Sequence, residues 1–412
     1  MGDFLEDIHY LEAAFDRFYD IGVTDSGGVT RLGYTEEEDG MHAVFASLGE
    51  EMGMEVFADA VGNTFVSGSI SGDDRDRYLI GSHLDSVVDG GRYDGVAGVL
   101  AGLLILRWAK RDGLDLPVRV VAFRCEESSN FGVSTLGSGL VTGGVVEAEA
   151  AQLAGKDGLT LGKIFEERGY SLRPDRIAGV REYLELHIEQ GRILEEYRQR
   201  VGIVTTIAGP RRFNLYLQGR AEHSGATPMV MRTDALCAAA ELILEIEKIG
   251  MAESVRHSVA TAAVIENRPN ALNVIPGEVR LQVDTRGVEI ASLDEMEQRI
   301  RQAGKSIAAR RGVGFIREKI GEAKPTTMDH RMQDKLARAA HRLGVSHRGM
   351  MSGAGHDAMK MAEICDSALL FIPCREGVSH NKNEFANMES ICDGAGVIYE
   401  YLREERAQND PD

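Results

Sequence analysis

Cysteine is scarce in this chain, and positive charges are outnumbered by negative ones. Only five of its 412 residues are cysteine, the number is odd, and no two of them form a CxxC pair. This pattern argues against a disulfide scaffold and indicates buried thiols in a reducing compartment. Lysine and arginine number 46 against 65 acidic residues, which gives a formal net charge of -19. Because nucleic acids and anionic membranes are bound by clustered basic residues, neither is an expected partner, and a small molecule is favoured.

The sequence predicts neither a signal peptide nor a membrane-spanning helix. The N-terminal sequence MGDFLEDIHYLEAAFDRF is acidic and amphipathic, unlike the basic start and apolar run of a signal peptide. The longest apolar run, residues 96–109, is too short to span a bilayer and is typical of a buried core helix. We therefore expect a cytoplasmic protein, and its length favours two or three domains.

Short apolar runs of strand type alternate with helical patterns over much of the chain. The strand patterns lie at residues 78–80, 118–123, 183–186 and 368–372, and the helical ones at 41–53, 96–109, 332–344 and 388–406. This alternation predicts an α/β fold with a mixed, largely parallel sheet flanked by helices. Ligands of such sheets bind beyond the carboxyl ends of the strands, where most of the candidate site residues fall.

Residues 210–323 show a different pattern, β-α-β-β-α-β, which is typical of a split-βαβ (ferredoxin-like) domain. Gly209-Pro210 and Lys324-Pro325 bound it with breaker residues. We therefore predict a discontinuous catalytic domain, residues 1–209 and 324–412, that carries an inserted domain of residues 210–323.

The stretch GSHLDSVVDGGRYDGVAG at residues 81–98, followed by Glu126 and Glu127, indicates one half of a two-metal hydrolase site. His83 and Asp94 offer imidazole and carboxylate ligands within one loop, and a shared carboxylate can bridge two ions. Adjacent residues such as the two glutamates point in different directions, so one can bind metal while the other faces the substrate.

The glycine-rich context of this loop strengthens a signal that is weak in isolation. A His-x-Asp triplet occurs often by chance, but here glycines allow the backbone to approach a metal closely. Asp85 would then orient the ring of His83. A phosphate-binding loop is the weaker alternative, because the segment lacks the GxxxxGK[ST] pattern and carries acids where an anion would sit.

Two further histidines follow apolar strand patterns. His187 begins HIEQG, and His380 lies in GVSHNKNE. A single histidine at a strand end is more often structural than a ligand. Together with His83, Asp94 and Glu127, however, they make five ligands, the number that two ions sharing one carboxylate would use.

Motifs along nearly the whole chain resemble the hydantoinase/carbamoylase family of amidases. That family includes N-carbamoyl-L-amino acid amidohydrolases, β-ureidopropionases and allantoate amidohydrolases. The resemblance rests on these motifs in this order: GGVTRLGYT, GSHLDSVVDGGRYDG, EESSNFGVSTLGS, LELHIEQG, EHSGATPM, NVIPGEV, SGAGHDA and VSHNKNE.

The resemblance implies a centre of two divalent metal ions. One ion would be held by His83 and His187 and the other by Glu127 and His380, with Asp94 bridging both. Zinc is the expected metal, and manganese, cobalt and nickel are alternatives because imidazole and carboxylate ligands suit all four. By the same resemblance Glu126 is the general base, which carries a proton from the activated water to the leaving nitrogen.

The resemblance also implies roles for other residues. His223 would stabilise the oxyanion, reaching the active site of the neighbouring subunit of a homodimer formed through the inserted domain, which also acts as a lid. Asn273 and Arg286 would hold a substrate carboxylate, while Gln190 and His356 would lie near the substrate. From the residues alone, a helix-capping or turn role is the favoured interpretation of His223. For His356, a turn-supporting role and a position near the substrate are equally supported.

The function expected from the resemblance is hydrolysis of the ureido C–N bond of an N-carbamoyl-L-amino acid, giving the amino acid, carbon dioxide and ammonia. Allantoate amidohydrolase and β-ureidopropionase activities are alternatives, because their substrates also combine a ureido group with a carboxylate. An aminoacylase or dipeptidase of the same clan and a non-catalytic metal-binding protein are the rival classes.

Overall fold

The computed structural model describes residues 2–68 and 78–409. Its strands, in chain order, are β1 (Glu55–Ala58), β2 (Thr64–Ser67), β3 (Tyr78–His83), β4 (Val118–Phe123), β5 (Glu182–Ile188), β6 (Val201–Ile207), β7 (Gly209–Gln218), β8 (Val259–Arg268), β9 (Glu278–Gly287), β10 (Gly314–Glu322), β11 (Thr326–Thr327), β12 (His347–Ser352) and β13 (Asp366–Ile372). Its α-helices are α1 (Gly2–Tyr19), α2 (Glu36–Glu51), α3 (Val96–Arg111), α4 (Leu136–Thr142), α5 (Glu147–Ala150), α6 (Leu161–Arg168), α7 (Ile193–Glu196), α8 (Ala235–Glu253), α9 (Ile290–Arg311), α10 (His330–Arg342), α11 (Asp357–Met361) and α12 (Met388–Asn409).

The chain divides into two compact units. The first contains the described residues of Met1–Thr205, Met328–Met350 and Ala354–Asp412, and the second contains Thr206–Thr327 and Met351–Gly353. The chain passes from the first unit to the second within β6 and returns after β11.

A mixed sheet is the framework of the first unit. Its strands follow the order β1-β2-β4-β3-β5-β13-β6, and β12 also pairs with β6. Strand β11 pairs with Thr206 and Ile207 at the end of β6, and all of these residues belong to the second unit. The central strands β4, β3, β5 and β13 run parallel to their neighbours in that group, whereas β1, β2 and β6 pair antiparallel. The predicted α/β class with a mixed sheet and flanking helices is confirmed.

Helix α3 is the centre of the core beside this sheet. Every residue from Val96 to Leu106 is buried, as expected for an apolar run that packs against β3, β5 and α12. Burying such aliphatic side chains contributes roughly 1.5–3 kcal/mol each. The helix begins directly after the loop that carries Asp94, so its packing fixes where that loop ends.

The second unit has the predicted β-α-β-β-α-β order. Its strands form an antiparallel sheet in the order β10-β7-β9-β8, and burial along β9 alternates residue by residue. The buried side chains of this sheet form one core with those of α8 and α9. Strands β10 and β8 are the edges of the sheet.

The structure adjusts several of the expected element boundaries. Helix α2 begins at Glu36 rather than near residue 41, because its acidic first turn carries no apolar signal. Strands β1, β2, β6 and β12 were not expected. Within the described ranges, no helix combines the length and the apolar character needed to cross a membrane.

Candidate active site

The candidate ligands lie where the parallel strands of the first unit end. His83 is the last residue of β3, and His187 lies near the end of β5. Glu127 follows β4, and His380 follows β13. Because β4, β3, β5 and β13 are neighbours in the sheet, their carboxyl ends bring these side chains together.

The predicted ligands form two groups that share Asp94. His83, Asp94 and His187 make one group, and Asp94, Glu127 and His380 make the other. Within each group the ligand atoms all lie within 4.8 Å of one another. These are the two sets expected from the sequence, and their role as metal ligands stays a prediction.

The polar atoms of the first group suit a cation better than a hydrogen-bond network. Nδ1 of His187 lies 3.0 Å from the carbonyl oxygen of Ile188, and Nδ1 of His83 lies 3.1 Å from that of Asp85. In neutral rings these contacts place the protons on Nδ1 and leave the Nε2 lone pairs facing Asp94. The distance from His187 Nε2 to Asp94 Oδ1 is 2.9 Å, and neither atom has a hydrogen-bond partner among the described residues.

Electrostatics also distinguish Asp94 from Glu126. Burial alone would raise the pKa of Asp94, but the charge of a protonated His187 and the close contacts of the Asp94 carboxylate with His187, His380 and His83 hold that pKa well below its usual range. Glu126 belongs to neither ligand group. Burial and the charge of Glu127 raise the pKa of Glu126 well above its usual range despite the opposing effect of His83. Glu126 is therefore suited to hold a proton.

Asp85 anchors the two glutamates as well as His83. Its Oδ1 lies 3.3 Å from Nδ1 of His83. In addition, Oδ1 accepts a hydrogen bond from the backbone N–H of Glu126 at 2.9 Å, and Oδ2 accepts one from that of Glu127 at 3.0 Å. The sequence predicted only the contact with His83.

Glu38 is a further buried acid that sequence reasoning missed. Its carboxylate accepts hydrogen bonds from the backbone N–H groups of Tyr34 and Cys125, at 2.6 and 2.7 Å, and from Nη1 of Arg124 at 3.0 Å. Cys125 precedes Glu126 and has a positive φ of 52°. Glu38 thus fixes the turn that presents Glu126, and the acid-rich sequence around it gave no signal of this role.

Gln190 and His356 lie close to the candidate ligands. The amide Nε2 of Gln190 donates to Asp94 Oδ2 at 2.9 Å and lies 3.1 Å from His380 Nε2. His356 is buried, with its ring centroid 4.6 Å from that of His187 and 5.4 Å from that of Phe371. Burial and the charge of His187 lower the pKa of His356 well below its usual value, which favours a neutral ring.

The other predicted site residues belong to the second unit. His223 is exposed, and its Nδ1 accepts backbone hydrogen bonds from Gly225 and Ala226, which gives it the geometry of a turn histidine. Asn273 is exposed and lies beside it, since the carbonyl of Asn273 accepts from the N–H of Ser224 at 3.0 Å. Arg286 donates to Asp284 Oδ2 and to the carbonyl oxygen of Gly353.

Comparison with known proteins decides the family. The model of Peptidase family M20/M25/M40 matches residues 79–404 of the chain. The chain belongs to this family. N-carbamoyl-L-amino acid amidohydrolase of Geobacillus stearothermophilus is 36% identical over 389 residues, which cover 92% of this chain and 94% of that protein.

This member of the M20/M25/M40 family is also similar to two further proteins, at comparable identity and coverage. Allantoate amidohydrolase of Bacillus subtilis (strain 168) is 34% identical over 391 residues, which cover 92% of this chain and 93% of that protein. The crystal structure of a hydantoinase/carbamoylase family amidase from Burkholderia multivorans matches with a TM-score of 0.87 at 34% identity and 96% coverage of both chains. The resemblance to hydantoinase/carbamoylase amidases is confirmed, and the chain is a metal-dependent amidohydrolase of carbon–nitrogen bonds other than peptide bonds.

Proposed function

We propose that this amidohydrolase cleaves the ureido C–N bond of N-carbamoyl-L-amino acids and releases the amino acid, carbon dioxide and ammonia. The observation that carries the proposal is the pair of ligand groups sharing Asp94, with the buried Glu126 next to them in sequence and space. Similarity to an N-carbamoyl-L-amino acid amidohydrolase over more than nine-tenths of both chains supports the choice of substrate class.

Two divalent ions held by the five ligand residues would supply Lewis acidity that activates a water and polarises the carbamoyl oxygen. Zinc is the first candidate, and manganese, cobalt and nickel fit the same donor set. Glu126 takes the proton of the attacking water and delivers it to the departing nitrogen, so that ammonia leaves as the C–N bond breaks. The carbamate of the amino acid that remains then takes up a proton on its nitrogen and loses carbon dioxide, which frees the amino acid. The raised pKa of Glu126 suits a group that must both accept and give a proton.

The substrate carboxylate requires a positive group, which an acidic protein must provide locally. We assign this role to Arg286 together with Asn273, because a guanidinium can hold a carboxylate through two parallel hydrogen bonds. In the structure, Nε and Nη2 of Arg286 donate hydrogen bonds to Asp284 Oδ2. A substrate carboxylate would accept these hydrogen bonds in place of Asp284. His223 would donate to the oxyanion of the tetrahedral intermediate.

An ammonia-release assay tests the substrate. N-carbamoyl-L-α-amino acids, N-carbamoyl-β-alanine and allantoate would each be offered to protein loaded with zinc, manganese, cobalt or nickel. The highest kcat/KM on N-carbamoyl-L-α-amino acids supports the proposal. A preference for N-carbamoyl-β-alanine would indicate β-ureidopropionase activity, and a preference for allantoate would indicate allantoate amidohydrolase activity. Turnover of N-acetyl amino acids or dipeptides without turnover of ureido compounds would contradict it.

Glu126 and Glu127 provide a matched pair of variants for the mechanism. Glu126→Gln should lower kcat by about 10²- to 10⁴-fold, since it removes the proton carrier. Its metal content should equal that of the parent, because Glu126 belongs to neither ligand group. Glu127→Gln should instead lose bound metal, measured by elemental analysis after gel filtration. Full activity of Glu126→Gln would remove this residue from the mechanism.

We also propose a homodimer formed through the second unit. Helix α8 exposes Leu244 and Met251, and Val255 in the turn after it is 80% exposed. Strand β8, which follows in the chain, is an edge of its sheet and exposes Val259 and Ile265. An apolar helix surface next to an unpaired strand edge is typical of a surface covered by another protein chain.

A further inference from the structure

Glu384 is a buried acid outside the two ligand groups, yet it contacts the segment that carries the shared ligand. It lies four residues after His380 and is 4% exposed. Its Oε1 accepts hydrogen bonds from the backbone N–H groups of Tyr93, at 2.8 Å, and Asp94, at 3.0 Å. One carboxylate oxygen therefore fixes the backbone at Asp94 from a position 290 residues away in the chain.

Ser379 makes a second link between Glu384 and Asp94. Its hydroxyl oxygen lies 3.0 Å from Glu384 Oε2 and 3.0 Å from Asp94 Oδ2. The hydroxyl has one proton to donate, so it can satisfy one carboxylate at a time while remaining in contact with both. Glu384 thus reaches Asp94 through the backbone and also through the side chain next to His380.

The backbone at His380 needs such support. His380 has a positive φ of 55°, a conformation that residues with a side chain adopt at a cost and keep only where their surroundings enforce it. The following turn closes through a hydrogen bond from the N–H of Glu384 to the carbonyl of Asn381, at 3.0 Å. The side chain of Glu384 then ties the end of this turn to the Asp94 loop.

Gly91 shows how closely that loop fits around the carboxylate. A Cβ atom built on Gly91 would overlap the carboxyl group of Glu384. The loop therefore provides space for this carboxylate only because residue 91 has no side chain.

We propose that Glu384 is a positioning residue that sets the distance between Asp94 and His380 and thereby the affinity of the second ligand group for its ion. The inference rests on the proposed metal centre. It assigns Glu384 no contact with the substrate. A purely structural acid would be expected to anchor segments unrelated to the ligands, as Glu182 does at the opposite end of β5, where it binds Arg331 at 2.7 Å and also Tyr401.

The test measures metal binding rather than turnover. Full-length protein is stripped with a chelator and titrated with cobalt, using calorimetry for stoichiometry and the visible d–d spectrum for coordination. The second binding event is the one that fills the group of Asp94, Glu127 and His380. Glu384→Ala should weaken this event by about 10- to 100-fold, the usual effect of removing a group that orients a ligand. The first binding event, which also uses His83 and His187, should change much less.

Three other variants keep the result interpretable. Glu384→Gln retains an oxygen for the two N–H groups and an amide that can donate to Ser379, so its second binding event should stay close to that of the parent. Gly91→Ala displaces the carboxylate without removing it and should reproduce the defect of Glu384→Ala. Glu182→Ala removes a buried acid of the same size and should lower the melting temperature without changing cobalt stoichiometry.

The outcomes separate this inference from the proposed function. Two tight cobalt sites in the parent and in Glu384→Ala, with equal affinities and spectra, would overturn the positioning role and leave the metal centre intact. A parent protein that binds no cobalt would overturn the metal centre and this inference with it. Equal weakening of the second event in Glu384→Ala and Glu182→Ala would show a general effect of stability and also overturn the inference.

Discussion

At the scale of single residues, Asp357, the first residue of α11, is a buried acid with few compensating contacts. Its Oδ1 accepts a hydrogen bond from Ser138 Oγ, whereas Oδ2 is buried without a hydrogen-bond partner among the described residues. Burial, followed by the charge of Glu185, raises the pKa of Asp357 to about 8. The folded protein therefore holds this proton far more tightly than the unfolded chain does.

Replacing this group should make stability less sensitive to pH. Because the pKa of Asp357 is higher in the folded state, its contribution to stability is present below about pH 4 and is lost as the pH rises through about 8. Asp357→Asn should therefore gain stability relative to the parent between pH 5 and 8, by up to about 1 kcal/mol per pH unit. Urea unfolding of the metal-free proteins measures this difference.

The exposed Asp115 provides the control for that experiment. Any change that Asp115→Asn shows over the same pH range measures the general effect of removing one carboxylate. A change for Asp357→Asn that does not exceed it would contradict the proposed titration of Asp357.

The sequence could predict which side chains of the site are candidate metal ligands, but not how the backbone around them is held. The ligand groups around Asp94 were expected because imidazole and carboxylate groups recur at strand ends with recognisable motifs. The anchoring of Glu126 by Asp85 and of Asp94 by Glu384 was not expected. Both are hydrogen bonds to backbone N–H groups, which every residue except proline carries, so no side-chain pattern marks the partner.

At the scale of secondary-structure elements, the contact between α3 and β5 controls how the ligand loops meet. A Cβ atom on Gly98 would overlap the carbonyl oxygen of Leu186, which precedes His187. The helix can therefore approach the strand closely only at a glycine. This contact joins the helix that follows Asp94 to the strand that carries His187.

Gly98→Ala should consequently destabilise the protein by about 1–3 kcal/mol, the usual cost of overpacking a core. It should also weaken metal binding, because α3 must move away from β5. Gly40→Ala, in the second turn of α2, is the matched control. The Cβ atom of this alanine would lie 3.4 Å from the side chain of Ile21, which is an ordinary contact. Gly40→Ala should therefore stabilise the protein by about 0.5–1 kcal/mol. Chemical denaturation compares both variants, and similar effects at the two positions would contradict this account.

The elements that sequence predicted share a strong hydrophobic pattern. Strand β9 alternates buried and half-buried residues, and α3 has no polar side chain from Val96 to Leu106. Strands β1 and β2 have four residues each, too few for a period to emerge. Strand β6 was missed for another reason, since its VGIVTTI segment is short and apolar and matches a buried helix segment equally well.

At the scale of the whole molecule, the proposed homodimer gives a prediction about mass in solution. Leu244→Asp combined with Met251→Asp should convert a dimer into a monomer, because burying an unpaired carboxylate in an interface is strongly unfavourable. Light scattering after gel filtration measures the mass directly. Ile316→Asp, on the other edge strand β10 and 50% exposed in the free chain, is the control and should remain dimeric. A monomeric parent would contradict the proposal.

Cys237 provides a position for a spin label that reports on the proposed homodimer. Cys237, on α8, is exposed, whereas Cys125, Cys374 and Cys392 are buried and Cys365 is half-buried. Partial burial and the nearby Asp234 raise the pKa of Cys237, so labelling of its thiolate requires a more alkaline buffer than labelling of an ordinary cysteine. The natural sequence thus provides a labelling position in the second unit, and nitroxides attached there would convert association of two chains into an interspin distance.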